Sequence, residues 1–191
     1  MRIYGRRYIM SFGDELRDYT RSKSDIQKEE KERIKMEAEK SAIENYKWVK
    51  TAFRNAAKNG NYTECGAKKE IVVYAGDFTL ERKFKNFASS SLMWHMRKFE
   101  NMNREVSHGF FSRKIHVSYT FSIIPNDPYE YECYMRKIQE LVQEDSIDMQ
   151  EVVVYIKDMR EYSAHFPWIY TTKEPLYGDY LYPCLKFRIK Y

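Results

Sequence analysis

The residues best placed to do chemistry in this chain are Asp77 and the run Glu81-Arg82-Lys83. An acid followed by an acid-x-Lys run is the arrangement that holds a divalent ion beside a scissile phosphate. Two stretches of strand composition, within "KKEIVVYAGDFTLERKF", flank Gly76-Asp77, a two-residue hairpin signal. Such a hairpin puts Asp77 in its turn and Glu81 with Lys83 on one strand face. Carboxylates that bind a metal converge from separate strands into a cleft, whereas a hairpin tip faces water. The spacing therefore reads first as the charged outer face of an edge strand. A metal-dependent nuclease is the lesser alternative.

Other catalytic patterns are missing from the sequence. His95, His108, His116 and His165 form no i, i+4 pair, and no Cys-x-x-Cys occurs. Cys65, Cys133 and Cys184 are odd in number and far apart, which suits reduced thiols in a cytoplasm. The 7 glycines are scattered, so no loop offers clustered backbone N–H groups to a phosphate. No G-x-S-x-G elbow presents an acyl nucleophile. The expectation is a protein without catalytic residues, metal or cofactor.

Binding candidates are easier to find. The chain ends "CLKFRIKY", in which Leu185, Phe187, Ile189 and Tyr191 share one side of an extended strand and Lys186, Arg188 and Lys190 the other. A second strand pattern, "SRKIHVSYTFSII" at 112–124, adds Arg113, Lys114 and His116. Adjacent strands of this kind make a basic patch able to track phosphates. Lysines on an edge strand also serve simply to discourage aggregation. Tyr occurs 17 times, and the stretch "SAHFPWIYTTKEPLYGDYLYP" presents Trp168 and Tyr170 in a long, aromatic connection. Such side chains suit interfaces and stacking on unpaired bases; covering the apolar face of a sheet is the plainer role.

The elements that must hold these residues follow from periodicity. Residues 11–23 read as a polar lead-in. Ser24 with Gln27 is a capping-box pattern, and nothing breaks a helix from there to Lys58, where Asn59-Gly60 stops it. Ile34, Ala38, Ala42, Tyr46, Val49, Phe53 and Ala56 form a core stripe at i+3 and i+4 spacing. The first half, "DIQKEEKERIK", lacks one and is expected to project. Residues 90–106 show helical spacing through Leu92, Met93, Met96, Phe99 and Val106. Asp127-Pro128 starts a further helix reaching about Asp145. "EVVVYIK" at 151–157 has the fuller apolar run of a central strand. Residues 159–180 read as irregular. The fold class is α+β: a mixed or antiparallel sheet of about five strands, two packed helices and a long N-terminal helix. The domain division is a lead-in at 1–23, the long helix at 24–60 and a single α+β domain at 61–191.

Length and charge narrow the partners. At 191 residues the chain suits one domain with an appendage. No apolar run could span a bilayer, and the basic start "MRIYGRRYIM" lacks the apolar stretch of a secretory signal. Net charge is +5, yet residues 125–165 hold 4 Lys/Arg against 10 Asp/Glu. A protein exposing both signs suits docking on a partner such as a nucleoprotein.

Read from Met10, "MSFGDELRDYTRSKSDIQKEEKERIKMEAEK" followed by a small α+β body resembles accessory proteins of bacterial phages and plasmids. Among these it most resembles anti-CRISPR proteins that block the RNA-guided nuclease of type II systems. The likeness is one of layout and carries no motif, so no functional residue transfers with it. It implies a non-catalytic inhibitor in the cytoplasm of a bacterial host, bound to the nuclease or its guide-RNA complex. Glu130, Glu140, Glu144 and Asp145 would then occupy basic channels meant for nucleic acid, or the basic strands would grip guide RNA or DNA. The alternative is a nucleic-acid-binding accessory protein of a mobile element, in direct contact with DNA or RNA.

Overall fold

The computed structural model describes residues 11–77, 80–89, 97–108, 115–164, 169–173 and 180–191. Its first element is a single helix, α1 (Phe12–Lys58), which at roughly 1.5 Å per residue is about 70 Å long. The expected polar lead-in is therefore helical. Ser11, not Ser24, is the N-cap: its Oγ accepts the Asp14 N–H at 3.2 Å, and Asp14 and Glu15 sit where the positive helix end favours acids. The stop falls where the sequence puts it. Gly60 takes a left-handed φ of 68°, and the Gly60 and Asn61 N–H groups return to the Ala57 and Ala56 carbonyls, closing the helix as a Schellman motif.

The longer strand β2 (Lys68–Gly76) comes next, flanked in sequence by two three-residue strands, β1 (Thr63–Cys65) and β3 (Phe87–Ser89). No hairpin forms at Gly76-Asp77. A Cβ on Gly76 would lie 3.3 Å from Cys184 Sγ, so the glycine serves close packing. Beyond it the Leu80 N–H bonds the Asp77 carbonyl at 3.0 Å. That turn drives Leu80 into full burial, and β3 then joins β2 in parallel, Tyr74 opposite Phe87. Burial of Leu80 outcompetes the local turn signal.

The helical spacing expected over 90–106 is overridden in the same way from residue 97 on. Residues 90–96 lie outside the described residues, and from Arg97 the chain is a strand, β4 (Arg97–His108). It pairs antiparallel with β5 (Ile115–Pro125) from Arg97 opposite Pro125 to His108 opposite Ile115, with a bulge between Glu100 and Asn103. A ladder of this length decides the conformation over side-chain spacing. The second helix, α2 (Pro128–Glu144), matches expectation: Asp127 Oδ1 accepts the Tyr129 and Glu130 N–H groups at 2.9 and 3.2 Å, with Pro128 in the first turn. The remaining strands are β6 (Asp148–Tyr155), β7 (Arg160–Ser163), β8 (Ile169–Thr172) and β9 (Leu181–Lys190). Two of them, β7 and β8, fall in the stretch expected to be irregular.

The architecture is α+β. One sheet runs β1-β2-β9-β6-β7 with β3 beside β2, and a second runs β4-β5-β8. Val152–Tyr155 of β6 are buried on both faces, and β6 lies between β9 and β7 as its apolar run predicts. One face of the large sheet, with Ile71, Val73, Leu185 and Phe187, packs under the core stripe of α1 and under Tyr134, Ile138 and Val142 of α2. Farther along that face, Val153, Tyr155 and Leu181 meet Phe121, Ile123 and Tyr170 of the second sheet. On the opposite face, Leu80 covers Val152, Val154 and Cys184. Among the described residues no helix is long and apolar enough to cross a membrane.

Candidate interaction surface

β9 is a central strand, with β2 on one side and β6 on the other, so edge protection does not explain its cations. Alternation turns Leu185, Phe187 and Ile189 toward the helices and Lys186, Arg188 and Lys190 toward the far face. Register sets their neighbours. Glu70, Val72 and Tyr74 stand opposite Lys190, Arg188 and Lys186 on β2, while Asp148 and Gln150 stand opposite Arg188 and Lys186 on β6.

The cations meet carboxylates. Lys186 Nζ lies 2.6 Å from Glu161 Oε2, Arg188 reaches Asp148 Oδ2 through Nη2 at 3.0 Å, and Lys190 Nζ lies 3.5 Å from Glu70 Oε1. Arg188 also sits 3.8 Å from Glu70. The Lys186–Glu161 pair is the most enclosed, with side chains 25% and 26% exposed. Tyr74 donates its hydroxyl to Glu161, holds Lys186 5.7 Å from its ring centroid and stacks on Phe84 at 3.9 Å. Burial first, then the bond to Glu161, pushes the Tyr74 hydroxyl well above its ordinary range, keeping it a neutral donor at any physiological pH. Beside this cluster, Asp148, Met149, Gln150, Lys186 and Arg188 line a cleft of about 350 Å³. Three cations facing three acids make a polar surface of mixed sign rather than a phosphate track. A nucleic acid would have to break an internal ion pair for each contact made there.

The other expected binding residues separate from this face. Tyr170 is fully buried, its ring stacked on Phe121 at 5.2 Å between the two sheets; it is a core residue and cannot stack on a base. His116 occupies a β5 position opposite Ser107, on the other sheet. Arg113, Lys114 and Trp168 lie outside the described residues. The Asp77, Glu81 and Lys83 arrangement does not assemble as a strand face, since Glu81, Arg82 and Lys83 lie exposed on the turn that follows Leu80. Among the described residues, no group of three or more His, Cys, Asp or Glu side chains converges as a metal-ion cage would require.

A surface that sequence reasoning passed over lies at the start of α1. Among the described residues the first tie between α1 and α2 is Lys31, 5.8 Å from the centre of the Tyr129 ring; Glu39–Arg136 at 3.5 Å and Lys50 to the C-cap Asp145 at 2.7 Å follow. Pairings that advance together along both helices mean that they run parallel. Among the described residues Phe12–Glu30 therefore stands clear of the body, an arm of about 28 Å at roughly 1.5 Å per residue. Phe12, Leu16, Tyr19 and Ile26 on it are 74%, 49%, 69% and 63% exposed. Their i, i+4, i+7, i+14 spacing puts them on one stripe. The signal was present in the sequence, hidden by reading 11–23 as non-helical.

No protein-family model, curated protein or solved structure matches this chain.

Proposed function

We propose that the chain is a non-catalytic binding protein that docks on a macromolecular partner through the α1 arm. The observation that carries this is the stripe of Phe12, Leu16, Tyr19 and Ile26, exposed on a helix with no core beneath it among the described residues. Large apolar side chains aligned on a projecting helix are the anchors of helix-in-groove recognition. The resemblance in layout supplies the partner: the RNA-guided nuclease of a type II system, or that nuclease with its guide RNA. On this reading the chain is an anti-CRISPR inhibitor carried by a mobile element and acting in the cytoplasm of a bacterial host.

The charged surfaces argue for protein contact over direct nucleic-acid contact. Two of the acids along and just beyond α2 are already paired: Asp145 with Tyr46 and Lys50, each at 2.7 Å, and Glu140 with Lys137 at 2.8 Å. The cations of β9 are compensated in the same way. The test is co-elution with a purified, guide-loaded type II nuclease, before and after RNase and DNase treatment, together with a DNA-cleavage assay. Stoichiometric loss of cleavage and nuclease-resistant co-elution are expected, and both should be lost in a chain carrying Phe12→Ser, Leu16→Ser and Tyr19→Ser. Cleavage unaffected at excess chain sinks the assignment of partner. Capture that depends wholly on duplex DNA or RNA sinks the protein-docking reading.

A further inference from the structure

Beyond the arm, the outer side of α1 carries further apolar side chains. Met36, Ile43 and Trp48 are 63%, 38% and 62% exposed, turned away from the buried Ala38-to-Ala56 stripe. Two hollows open among them. One of about 400 Å³ runs along Met36, Lys40, Ile43 and Lys47, and one of about 390 Å³ lies at Glu44, Lys47, Trp48 and Thr51. The spacing is that of a coiled-coil seam. Phe12, Tyr19, Ile26, Arg33, Lys40 and Lys47 recur at heptad intervals, and Glu15, Ser22, Glu29, Met36 and Ile43 form the adjoining row. The apolar members sit on the first row in the arm and on the second row in the other half. A parallel copy of α1 would set Glu15, Glu29, Arg33 and Lys47 each against its own like charge. An antiparallel copy sets one row against the other.

We propose that two copies of the chain pair antiparallel along this face of α1, about a two-fold axis at the level of Lys31. That axis sets Tyr19 opposite Ile43, and Ile26 opposite Met36, of the second copy. It brings Phe12 and Leu16 to either side of Trp48, at the second hollow. The charges agree with the same register: Glu15 meets Lys47, and Glu29 meets Arg33. Each large apolar side chain exposed on α1 thus finds a mate in a single arrangement. Within its own chain Arg33 reaches only Glu30 and Glu37, at 3.6 and 3.7 Å, and all three side chains are largely exposed. Such surface pairs cost little to rearrange. Polar layers in a seam fix register at a cost in stability, and the two rows with their flank offer about 18 positions a side, near the low end for a specific interface. The pairing is therefore reversible, formed at about 200 µM chain and dissociated at about 1 µM. This inference goes beyond the nuclease as partner and does not need it; in dilute protein the stripe is free for a partner's groove.

The experiment is sedimentation velocity of the full chain across that concentration range, with circular dichroism to check each variant's fold. The mass should rise from one copy to two and no further. Glu15→Lys with Glu29→Lys, and separately Arg33→Glu with Lys47→Glu, put like charges at every charged contact, all at exposed positions. Each variant alone should associate about tenfold more weakly, and an equimolar mixture of the two should regain the parent's affinity. Orientation is read by cross-linking, with the exposed Cys65 replaced by Ser. A chain with Ile26→Cys and one with Met36→Cys should form a disulfide between copies when mixed under mild oxidation, and neither should do so alone. A single-copy mass at about 200 µM overturns the pairing, as do charge variants that associate like the parent or a mixture that stays weak. Cross-linking of the Ile26→Cys chain with itself would mean a parallel pair and overturn the register. Absence of pairing with nuclease co-elution intact sinks only this inference; pairing without co-elution sinks only the nuclease as partner.

Discussion

Removing one member of the Lys186–Glu161 pair measures directly what the cationic side of β9 meets. The two charged atoms lie 2.6 Å apart with side chains about three-quarters enclosed. At an effective dielectric of 20 the gross attraction is about 6 kcal/mol. Desolvation of both ions takes back most of it, which leaves a coupling of about 1–2 kcal/mol. Lys186→Met keeps the aliphatic stem and leaves Glu161 with the Tyr74 hydroxyl as its remaining bonded partner. That variant should lose about 2–3 kcal/mol, because a largely enclosed carboxylate has lost its counter-charge. Glu161→Gln should lose less, since an amide still accepts from Lys186. The double variant should be more stable than the sum of the single losses by the coupling energy. Urea unfolding at 25 °C, with midpoints compared at a common slope, reads all three. Additivity within about 0.3 kcal/mol, or a Lys186→Met protein as stable as the parent, would show that Lys186 meets water and refute the ion-pair ladder. Replacing Lys186, Arg188 and Lys190 together by Ser should accordingly cost stability through Lys186, with the two more exposed cations adding little.

Phe187→Ala removes a side chain enclosed against Tyr46 and the helices and should lower stability by about 3–5 kcal/mol; a loss under 1 kcal/mol in urea unfolding would contradict its place in the core. Deleting residues 12–30 should leave the unfolding midpoint of the body unchanged within about 0.5 kcal/mol, because described side chains of the arm touch no core; loss of the cooperative transition would place the arm on the body. The Lys50 ammonium first, then the Tyr46 hydroxyl, holds the Asp145 carboxyl below the usual carboxylate range. Its folded value lies below its unfolded value, so this stabilisation is present above the unfolded value near pH 3.9 and is lost as pH falls through the folded value. The stability gap between the parent and Asp145→Asn should therefore close between about pH 5 and pH 2; a gap constant over that range would show that the carboxylate charge is not what binds α1 to α2. Asp77→Ala with Glu81→Ala should leave thermal stability in millimolar Mg²⁺ or Mn²⁺ the same as in the parent; Mg²⁺-dependent DNA cleavage lost in that variant would restore the nuclease reading.

What the sequence determined by itself was local. The alternation of "CLKFRIKY" sorted that strand into an apolar and a cationic side. Asp127-Pro128 opened α2, Asn59-Gly60 closed α1, and the Ala38-to-Ala56 stripe marked the buried half of the long helix. Each of these depends on residues within a turn or two of one another, where spacing alone decides which groups can meet. The local signals failed where distant residues offered more. Over 97–106 the helical spacing gave way to the long β4–β5 ladder, a hairpin signal at Gly76-Asp77 gave way to the burial of Leu80, and Tyr170 became core because β8 places it against Phe121. The question of what the cationic side of β9 meets belongs to the same class. Glu70, Asp148 and Glu161 lie on three other strands, and only the order β2-β9-β6-β7 and its register bring them over Lys186, Arg188 and Lys190. A charge at one position has no fixed partner until the sheet chooses its neighbours, since strand pairing is decided by the burial of the opposite, apolar face.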